Sequence, residues 1–166
     1  AATITAESEV RNDYAEPRTF SFDVTIEDVD GKVVKSFKGE TTTLAANQTM
    51  TVSASARVAG LNFWSWGYGY LYTVRTVLSV DGRVVDVVGT RTGFRKTEFA
   101  NGMVRLNGRV LQMKGYAQRT SNEWPALGSA VPPWLGDFSN GLMVEGNGNL
   151  VRWMHITPSK QDVESC

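Results

Sequence analysis

Thr19-Phe20-Ser21-Phe22-Asp23-Val24-Thr25-Ile26 is the stretch of sequence that decides the fold of this chain. Apolar and polar residues alternate along it, which is the period of a β-strand with two different faces. The alternation predicts a strand with Phe20, Phe22, Val24 and Ile26 on the same face. The segments that pack against this strand must therefore supply apolar side chains to cover that face.

The sequence on either side predicts more strands joined by short turns. Strand-like patterns cover residues 3–10, 32–38, 47–58, 70–80 and 83–90, and none of the intervening stretches is a convincing helix. Asp30-Gly31 and Asp81-Gly82 are typical of tight hairpin turns, in which both central residues take positive φ. Strands at this spacing predict that residues 1–102 form an immunoglobulin-like β-sandwich. The single cysteine, Cys166, excludes an internal disulfide.

The pattern changes in residues 103–166. Asn107-Gly108 predicts another hairpin, and a short strand follows in Lys114-Gly115-Tyr116-Ala117-Gln118-Arg119. Apolar residues at helical spacing then predict a helix over 134–147, before a second strand over 150–156. The apolar positions of this helix are Trp134, Leu135, Phe138, Leu142 and Met143. Pro158-Ser159 indicates the first turn of another helix. A strand, a helix and a strand begin a parallel α/β unit that does not close before Cys166, so we expect a piece of a larger protein.

Composition excludes several classes of function. Seventeen basic residues balance seventeen acidic residues, whereas nucleic-acid binding needs a clustered basic face. No stretch approaches the ~20 apolar residues that span a bilayer, so we expect neither a nucleic-acid partner nor a membrane partner. One cysteine and one histidine give no metal cluster, and we expect no cofactor. For the compartment we favour the periplasm or the extracellular space over the cytoplasm.

Four segments, in order, resemble the family-2 glycoside hydrolases, which include β-galactosidases, β-glucuronidases and β-mannosidases. The first is Trp64-Ser65 followed by Tyr70-Leu71-Tyr72, which resembles the end of the family's immunoglobulin-like domain. The second is Gly93-Phe94-Arg95. The third is Leu106-Asn107-Gly108 followed by Met113-Lys114-Gly115, which resembles the entry into the catalytic barrel. The fourth is Val151-Arg152-Trp153-Met154-His155 with Pro158, which is similar to the second barrel strand.

The resemblance implies that residues 103–166 open a truncated (β/α)8 barrel. It implies a parent enzyme that hydrolyses terminal β-glycosidic bonds with retention, β-galactosides being favoured over β-glucuronides and β-mannosides. Its partners would be the carbohydrate substrate, the rest of the barrel and an N-terminal sugar-binding-like domain. Both catalytic glutamates of the family lie on later barrel strands, so we assign no catalytic residue here and expect the isolated chain to be inactive. The chain's own glutamates match no catalytic motif; they include Glu98, Glu123, Glu145 and Glu164.

The expected substrate-binding residues lie at the carboxyl ends of the two barrel-like strands, where barrel active sites are built. His155 would donate a hydrogen bond to a sugar hydroxyl, and Arg152 would contact substrate or orient a carboxylate. A solvent-facing histidine and a structural salt bridge are the alternative interpretations. The first strand departs from the family's usual Gly-x-Asn-Arg-His ending. Arg119, Asn122, Glu123 and Trp124 are therefore expected to fill that part of the pocket.

Two other classes of function stay open from the sequence. A non-catalytic carbohydrate-binding or structural β-sandwich module would also fit the first part of the chain. The aromatic run from Trp64 to Tyr72 could be a sugar-binding platform, although a place in the core or at an interdomain interface is the preferred interpretation. Open sheet edges in an incomplete barrel also make a homo-oligomer possible.

Overall fold

The computed structural model describes residues 1–119, 131–155 and 157–166, and of Arg119 only the backbone. It divides the chain into two compact units, Ala1–Lys96 and Thr97–Cys166. The sequence pattern placed the boundary between residues 102 and 103. In the structure the strand Thr97–Ala100 pairs with Met103–Leu106, so this hairpin lies wholly in the second unit. No helix in the described part of the chain is long and apolar enough to cross a membrane.

The first unit consists of seven strands in two sheets. The strands are β1 (Ala2–Arg11), β2 (Arg18–Glu27), β3 (Val33–Lys38), β4 (Thr42–Leu44), β5 (Thr49–Val58), β6 (Tyr72–Val80) and β7 (Arg83–Thr92). One sheet has the order β3-β2-β6-β7, with β4 also paired to β2, and the other is the antiparallel pair β1-β5. The predicted β-rich first part is therefore confirmed.

The alternation from Phe20 to Ile26 is confirmed side chain by side chain. Phe20, Phe22, Val24 and Ile26 are all buried, and Phe22, Val24 and Ile26 are at most 1 % exposed. The first three pack in one apolar cluster with residues of β1, β4 and β5, so the two sheets face each other as in a sandwich. Ile26 belongs to a second cluster with Val58 and Tyr72. Burial of each such side chain contributes ~1.5–3 kcal/mol to stability.

The hairpin turns agree with the sequence in one case and differ in another. Asp81 and Gly82 both have positive φ, at 50° and 72°, as predicted. In the β2–β3 turn only Gly31 does, at 77°, so the prediction for Asp30 is wrong. The reason is that Asp28 organises this turn: its Oδ1 accepts hydrogen bonds from the backbone N–H groups of Asp30 at 3.0 Å and Lys32 at 2.9 Å.

The described residues of the second unit form five strands and two helices. They are β8 (Thr97–Ala100), β9 (Met103–Leu106), β10 (Arg109–Leu111), β11 (Gly115–Arg119), α1 (Pro133–Glu145), β12 (Leu150–Met154) and α2 (Lys160–Glu164). β10, β9 and β8 form an antiparallel sheet, whereas β11 and β12 pair in parallel. The predicted strand, helix and strand of a parallel unit are thus confirmed.

Helix α1 ends in a Schellman motif. The N–H of Asn147, at φ 58°, donates to the Val144 carbonyl at 2.9 Å, and the N–H of Gly148 donates to the Met143 carbonyl at 2.8 Å. This is the arrangement that closes a helix when a residue beyond its end adopts the left-handed conformation. The chain then turns directly into β12.

Helix α1 is predicted correctly, but most of its apolar residues are not buried. Trp134, Phe138 and Leu142 are exposed, while the buried residues of the helix are Gly136 and Asn140. The buried side faces α2, because Asn140 Nδ2 donates to Ser165 Oγ at 3.0 Å and Gly136 lies against Asp162. A polar contact between two helices therefore replaces the apolar contact that such spacing normally indicates.

Candidate functional site

The candidate site is the carboxyl end of the parallel pair β11–β12. In this pair Ala117 lies opposite Arg152, and Arg119 lies opposite Met154. Parallel strands end at the same edge of their sheet, and ligands of α/β folds bind beyond that edge. His155 follows directly after β12. The structure therefore brings the backbone of Arg119 to the same edge as Arg152 and His155.

The two faces of this small sheet have different surroundings. The Tyr116 hydroxyl donates to the Ser139 carbonyl of α1 at 3.4 Å and contacts Gln118 Oε1 at 3.1 Å, so the face of Tyr116 and Gln118 is the one that α1 covers. Side chains alternate along a strand, and Arg152 therefore lies on the opposite face, together with Ala117. Arg152 and His155 are both exposed. The position of Arg152 suits contact with a ligand on the face that α1 leaves open, and His155 lies exposed just beyond the strand end.

Asn149 fixes the two strands in register at their amino ends. Its Oδ1 accepts a hydrogen bond from the N–H of Lys114 at 2.8 Å, and its Nδ2 donates to the Gln112 carbonyl at 2.9 Å. The backbone N–H of Asn149 also donates to the Lys114 carbonyl at 2.7 Å. Asn149 stands in the sequence between the predicted helix and the second strand, in no motif that predicts this contact. Its bridging role depends on a segment more than thirty residues earlier, and no local signal marks it.

A cavity of about 570 Å³ lies between β11 and α1, and Tyr116 and Ser139 are among the residues that line it. Burial raises the pKa of the Tyr116 phenol, and the nearby Cys166 thiol adds to the increase. Burial also raises the pKa of Cys166, with a further contribution from the Asp162 carboxylate. Both groups are therefore neutral at physiological pH.

The remaining predicted residues are placed only in part. Asn122, Glu123 and Trp124 lie outside the described residues, and so does any contact they make with the site. Among the described glutamates, Glu98 lies on β8, Glu145 ends α1 and Glu164 ends α2, so the three belong to different elements. Within the described ranges, no group of three or more His, Cys, Asp or Glu side chains could hold a metal ion.

Comparison with known proteins identifies the family to which the chain belongs. The family model described as glycosyl hydrolases family 2 matches residues 1–95, which is more than half of the chain and nearly the whole first unit. The chain belongs to glycosyl hydrolase family 2. The resemblance carried by Trp64-Ser65 and Gly93-Phe94-Arg95 is thereby confirmed.

The relatives of this family-2 chain extend the match into the second unit. A β-glucuronidase of Formosa agariphila is 31% identical over 165 residues, covering 99% of this chain and 17% of its own length. A β-galactosidase of Psychromonas ingrahamii is 35% identical over 108 residues, covering 62% of this chain and 10% of its own. The chain thus spans about a sixth or less of the length of these relatives.

Solved structures of family 2 share the architecture of this chain. The structure of a β-glucuronidase from glycoside hydrolase family 2 superimposes with a TM-score of 0.87 at 30% identity, over 98% of this chain and 17% of that one. A β-glucuronidase of Bacteroides uniformis superimposes with a TM-score of 0.83 at 26% identity, over 99% of this chain and 20% of that one. Both units of this family-2 chain therefore have counterparts in these enzymes.

Proposed function

We propose that this chain is part of a retaining glycoside hydrolase that removes terminal sugars from β-glycosides. In this proposal residues 1–102 form an immunoglobulin-like sandwich that supports a (β/α)8 barrel, and residues 103–166 supply the barrel's opening strands and helix. The observation that carries the proposal is the parallel pair β11–β12. Its open face carries Arg152, and His155 follows at its carboxyl end.

Arg152 and His155 are the proposed substrate-binding residues within the described part of the site. A neutral imidazole both donates and accepts hydrogen bonds, which suits sugar hydroxyls. A guanidinium offers a planar set of donors for a carboxylate or for neighbouring hydroxyls. Losing either partner in a closed site leaves a substrate hydroxyl unpaired, and such losses discriminate strongly between sugars. Arg119, Asn122, Glu123 and Trp124 are proposed to complete the pocket wall.

We propose that the chain alone contacts the sugar but does not hydrolyse the glycosidic bond. Retaining hydrolysis needs one carboxyl group as acid and base and a second as nucleophile, ~5–5.5 Å apart across the scissile bond. The resemblance assigns both carboxyl groups to barrel strands beyond this chain. The complete enzyme would therefore need the rest of the barrel, an N-terminal sugar-binding-like domain and, in one arrangement, a second copy.

The sugar is the part of the proposal with two candidates. From the sequence we favour a β-galactoside, and β-galactosidases are among the relatives over 62% of the chain or more. A β-glucuronide is the second candidate, favoured by the β-glucuronidase of Formosa agariphila that matches over 99% of this chain. Arg152 would pair with the carboxylate of a glucuronide but only donate to the hydroxyls of a galactoside.

The test uses the full-length protein encoded with this segment. Initial rates are measured on chromogenic β-galactoside, β-glucuronide and β-mannoside, for the unaltered protein and for His155→Ala and Arg152→Ala. We expect activity on at least one substrate and a loss of ~10²-fold or more in kcat/KM in each variant, as for groups that stabilise a transition state. Lys160→Ala is the matched control, because it removes an exposed cation of α2.

Two results would contradict the proposal. Unchanged kinetics in His155→Ala and Arg152→Ala would remove both residues from the site. Absence of activity on all three substrates, with measurable binding of a polysaccharide, would favour the non-catalytic carbohydrate-binding or structural module instead.

A further inference from the structure

A cleft in the first unit is not used by the proposed hydrolase site. It has a volume of about 460 Å³ and lies beside the β6–β7 turn. The described residues that line it are Tyr14, Arg18, Val80, Asp81, Arg83 and Val85. All six belong to the unit Ala1–Lys96. The volume falls within the ~300–1,000 Å³ in which proteins bind small molecules.

A buried asparagine fixes the loop that carries Tyr14 into this cleft. Asn12 is 5% exposed, and its Nδ2 donates to three backbone carbonyls at 2.9–3.2 Å. Its Oδ1 accepts a hydrogen bond from the N–H of Tyr14 at 3.0 Å. The guanidinium carbon of Arg18 lies 4.7 Å from the centre of the Tyr14 ring. The Arg18 head group is therefore held before a ligand arrives, which lowers the entropy cost of binding.

The β6–β7 turn carries the other charged groups of the cleft. The backbone of Asp81 has φ 50°, as the tight turn requires. Just after the turn, β7 has one extra residue, Val85, between the partners of Leu78 and Ser79. A β-bulge of this kind bends a strand and redirects its side chains. Asp81 and Arg83 are thus carried by backbone whose shape the turn and the bulge define.

The two guanidinium groups of the cleft have no ion-pair partner among the described residues. No described carboxylate pairs with Arg18 or Arg83. The two carboxylates of the Tyr14 loop are not among the lining groups, and that of Asp13 pairs with Arg11 at 2.7 Å. Asp81 is the acidic residue that lines the cleft. The lining groups therefore carry two positive charges and one negative charge.

These charges indicate the chemistry of the ligand. A guanidinium donates two parallel hydrogen bonds to a carboxylate, so two such groups favour a ligand with an anionic end. The carboxylate of Asp81 accepts hydrogen bonds from hydroxyl groups and repels multiply charged anions such as phosphate. A ligand with one carboxylate and several hydroxyls satisfies both requirements. Sugar acids of the uronate class have this composition.

We propose that the cleft of Arg18 and Arg83 is a binding site for a uronate sugar. The two arginines donate to the carboxylate of the sugar, and Asp81 accepts hydrogen bonds from its hydroxyls. Binding forms and breaks no covalent bond and uses no residue of the second unit. The site therefore does not depend on which sugar the proposed hydrolase cleaves.

The test is an NMR titration of the ¹⁵N-labelled 166-residue chain with glucuronate, glucose or inorganic phosphate at constant ionic strength. We expect glucuronate to shift the Nε–H signals of Arg18 and Arg83 saturably, and glucose to leave them unchanged. Arg18→Gln and Arg83→Gln should each raise the Kd for glucuronate about tenfold or more, because each loses hydrogen bonds to a charged group. Arg57→Gln is the matched control, since Arg57 is an exposed arginine of β5 outside the cleft.

Asp81→Asn tests the selectivity of the site. Asparagine also adopts positive φ and keeps an acceptor for hydroxyls, but it removes the negative charge. We expect this variant to gain more affinity for phosphate than for glucuronate. An equal gain for both anions would contradict the role given to Asp81. The backbone spectrum of every variant checks that the fold is retained.

The full-length protein is tested by modification of its arginines with phenylglyoxal, read by peptide mass spectrometry. Glucuronate should protect Arg18 and Arg83 but not Arg57, in the full-length protein as in the 166-residue chain. Loss of this protection in the full-length protein would show that another part of the parent fills the cleft, and would overturn the proposal.

The titration has three further results that overturn the proposal. The first is no saturable shift with glucuronate, or an equal Kd in Arg18→Gln, Arg83→Gln and the unaltered chain. The second is phosphate binding as tight as glucuronate binding in the unaltered chain, which would indicate unselective attraction of anions. The third is equal binding of glucose, which would exclude recognition of the carboxylate. The enzyme assay reads Arg152 and His155 instead, so either proposal can fail alone.

Discussion

The two units of this chain bury different kinds of side chain. In Ala1–Lys96 the most deeply buried side chains are Phe22, Val24 and Ile26. In the described part of Thr97–Cys166 the buried residues are Leu106, Gly136, Asn140 and Asp162, of which only Leu106 is a large apolar side chain. Apolar burial is non-directional and stabilises in proportion to area, whereas buried polar groups contribute only through well-formed hydrogen bonds. The first unit is therefore expected to be the more stable.

Native-state amide exchange of the 166-residue chain measures this comparison directly. Segments that open only with global unfolding exchange more slowly than those that open locally. We expect the slowest exchange in β2 and β6 and faster exchange in β11 and β12. Slower exchange in β11 and β12 than in β2 and β6 would contradict the expected difference in stability between the two units. Each of the following substitutions tests one part of that difference.

The largest effect is expected for Phe22→Ala. Removing a fully buried phenylalanine loses its transfer free energy and leaves a cavity, which together lower the free energy of unfolding by ~3–5 kcal/mol. Urea denaturation followed by amide exchange in β2 measures the loss. Val29→Ala, at a position 64% exposed, is the control and should change little. A loss below ~1 kcal/mol in Phe22→Ala would mean that the apolar core does not dominate the first unit.

A smaller effect is expected for Asp162→Ala in the second unit. Asp162 accepts hydrogen bonds from the N–H and the hydroxyl of Ser159, at 3.0 and 2.9 Å, and its own N–H donates to Ser159 Oγ at 3.2 Å. Loss of the two hydrogen bonds that the Asp162 carboxylate accepts should cost ~0.5–2 kcal/mol, while the N–H of residue 162 keeps its bond to Ser159 Oγ. Amide exchange in α2 is the readout, with Lys160→Ala as the exposed control. An unchanged exchange rate in α2 of this variant would show that the cap does not stabilise the short helix.

Asn149→Ala is expected to weaken the pairing of β11 with β12. It removes two side-chain hydrogen bonds to the segment before β11, each contributing ~0.5–1.5 kcal/mol in general and less when solvent reaches it. Asn149→Asp keeps the acceptor for the Lys114 N–H but loses the donor to Gln112. Its rate of amide exchange in β12 should therefore lie between the rates of Asn149→Ala and the unaltered chain. Exchange at the amides of β12 measures both. Identical exchange in the three proteins would show that backbone pairing alone sets the register.

The smallest effect is expected for Phe138→Ser on the exposed side of α1. Phe138 is 59% exposed, and substitutions at such positions usually change stability by no more than ~0.5 kcal/mol. A loss above ~2 kcal/mol would show that another surface covers this side of the helix in solution. Sedimentation of the unaltered chain would then identify a second copy as the cover.

Local periodicity and turn chemistry were enough to predict most elements of the fold. The alternation from Phe20 to Ile26 and the pair Asp81-Gly82 are encoded within a few residues, and both are confirmed. Strand β4 was missed because its three residues are too few to show alternation, and β8 because its turn, Asn101-Gly102, was not recognised.

The parallel pair β11–β12 was predictable from the sequence, but the contacts that support it were not. The resemblance indicates Arg152 and His155 from the segment that contains them. The bridge made by Asn149 and the contact of Asn140 with Ser165 join segments distant in sequence, and nothing local distinguishes these residues from ordinary polar ones. The apolar spacing of α1 also gave no sign that Gly136 and Asn140, rather than Phe138, would be buried.

The parallel pairing of β11 with β12 also sets a temporal order on the site during synthesis. An antiparallel hairpin such as β6–β7 can close as soon as its turn leaves the ribosome, but parallel partners must wait for the crossover between them. Contacts between distant segments form slowly, since the chain between them must be ordered first. Arg152 and His155 thus reach the edge of this pair only after β11 and α1 have been synthesised, and until then β11 lacks β12 as a partner and is open to capture by chaperones or neighbouring chains.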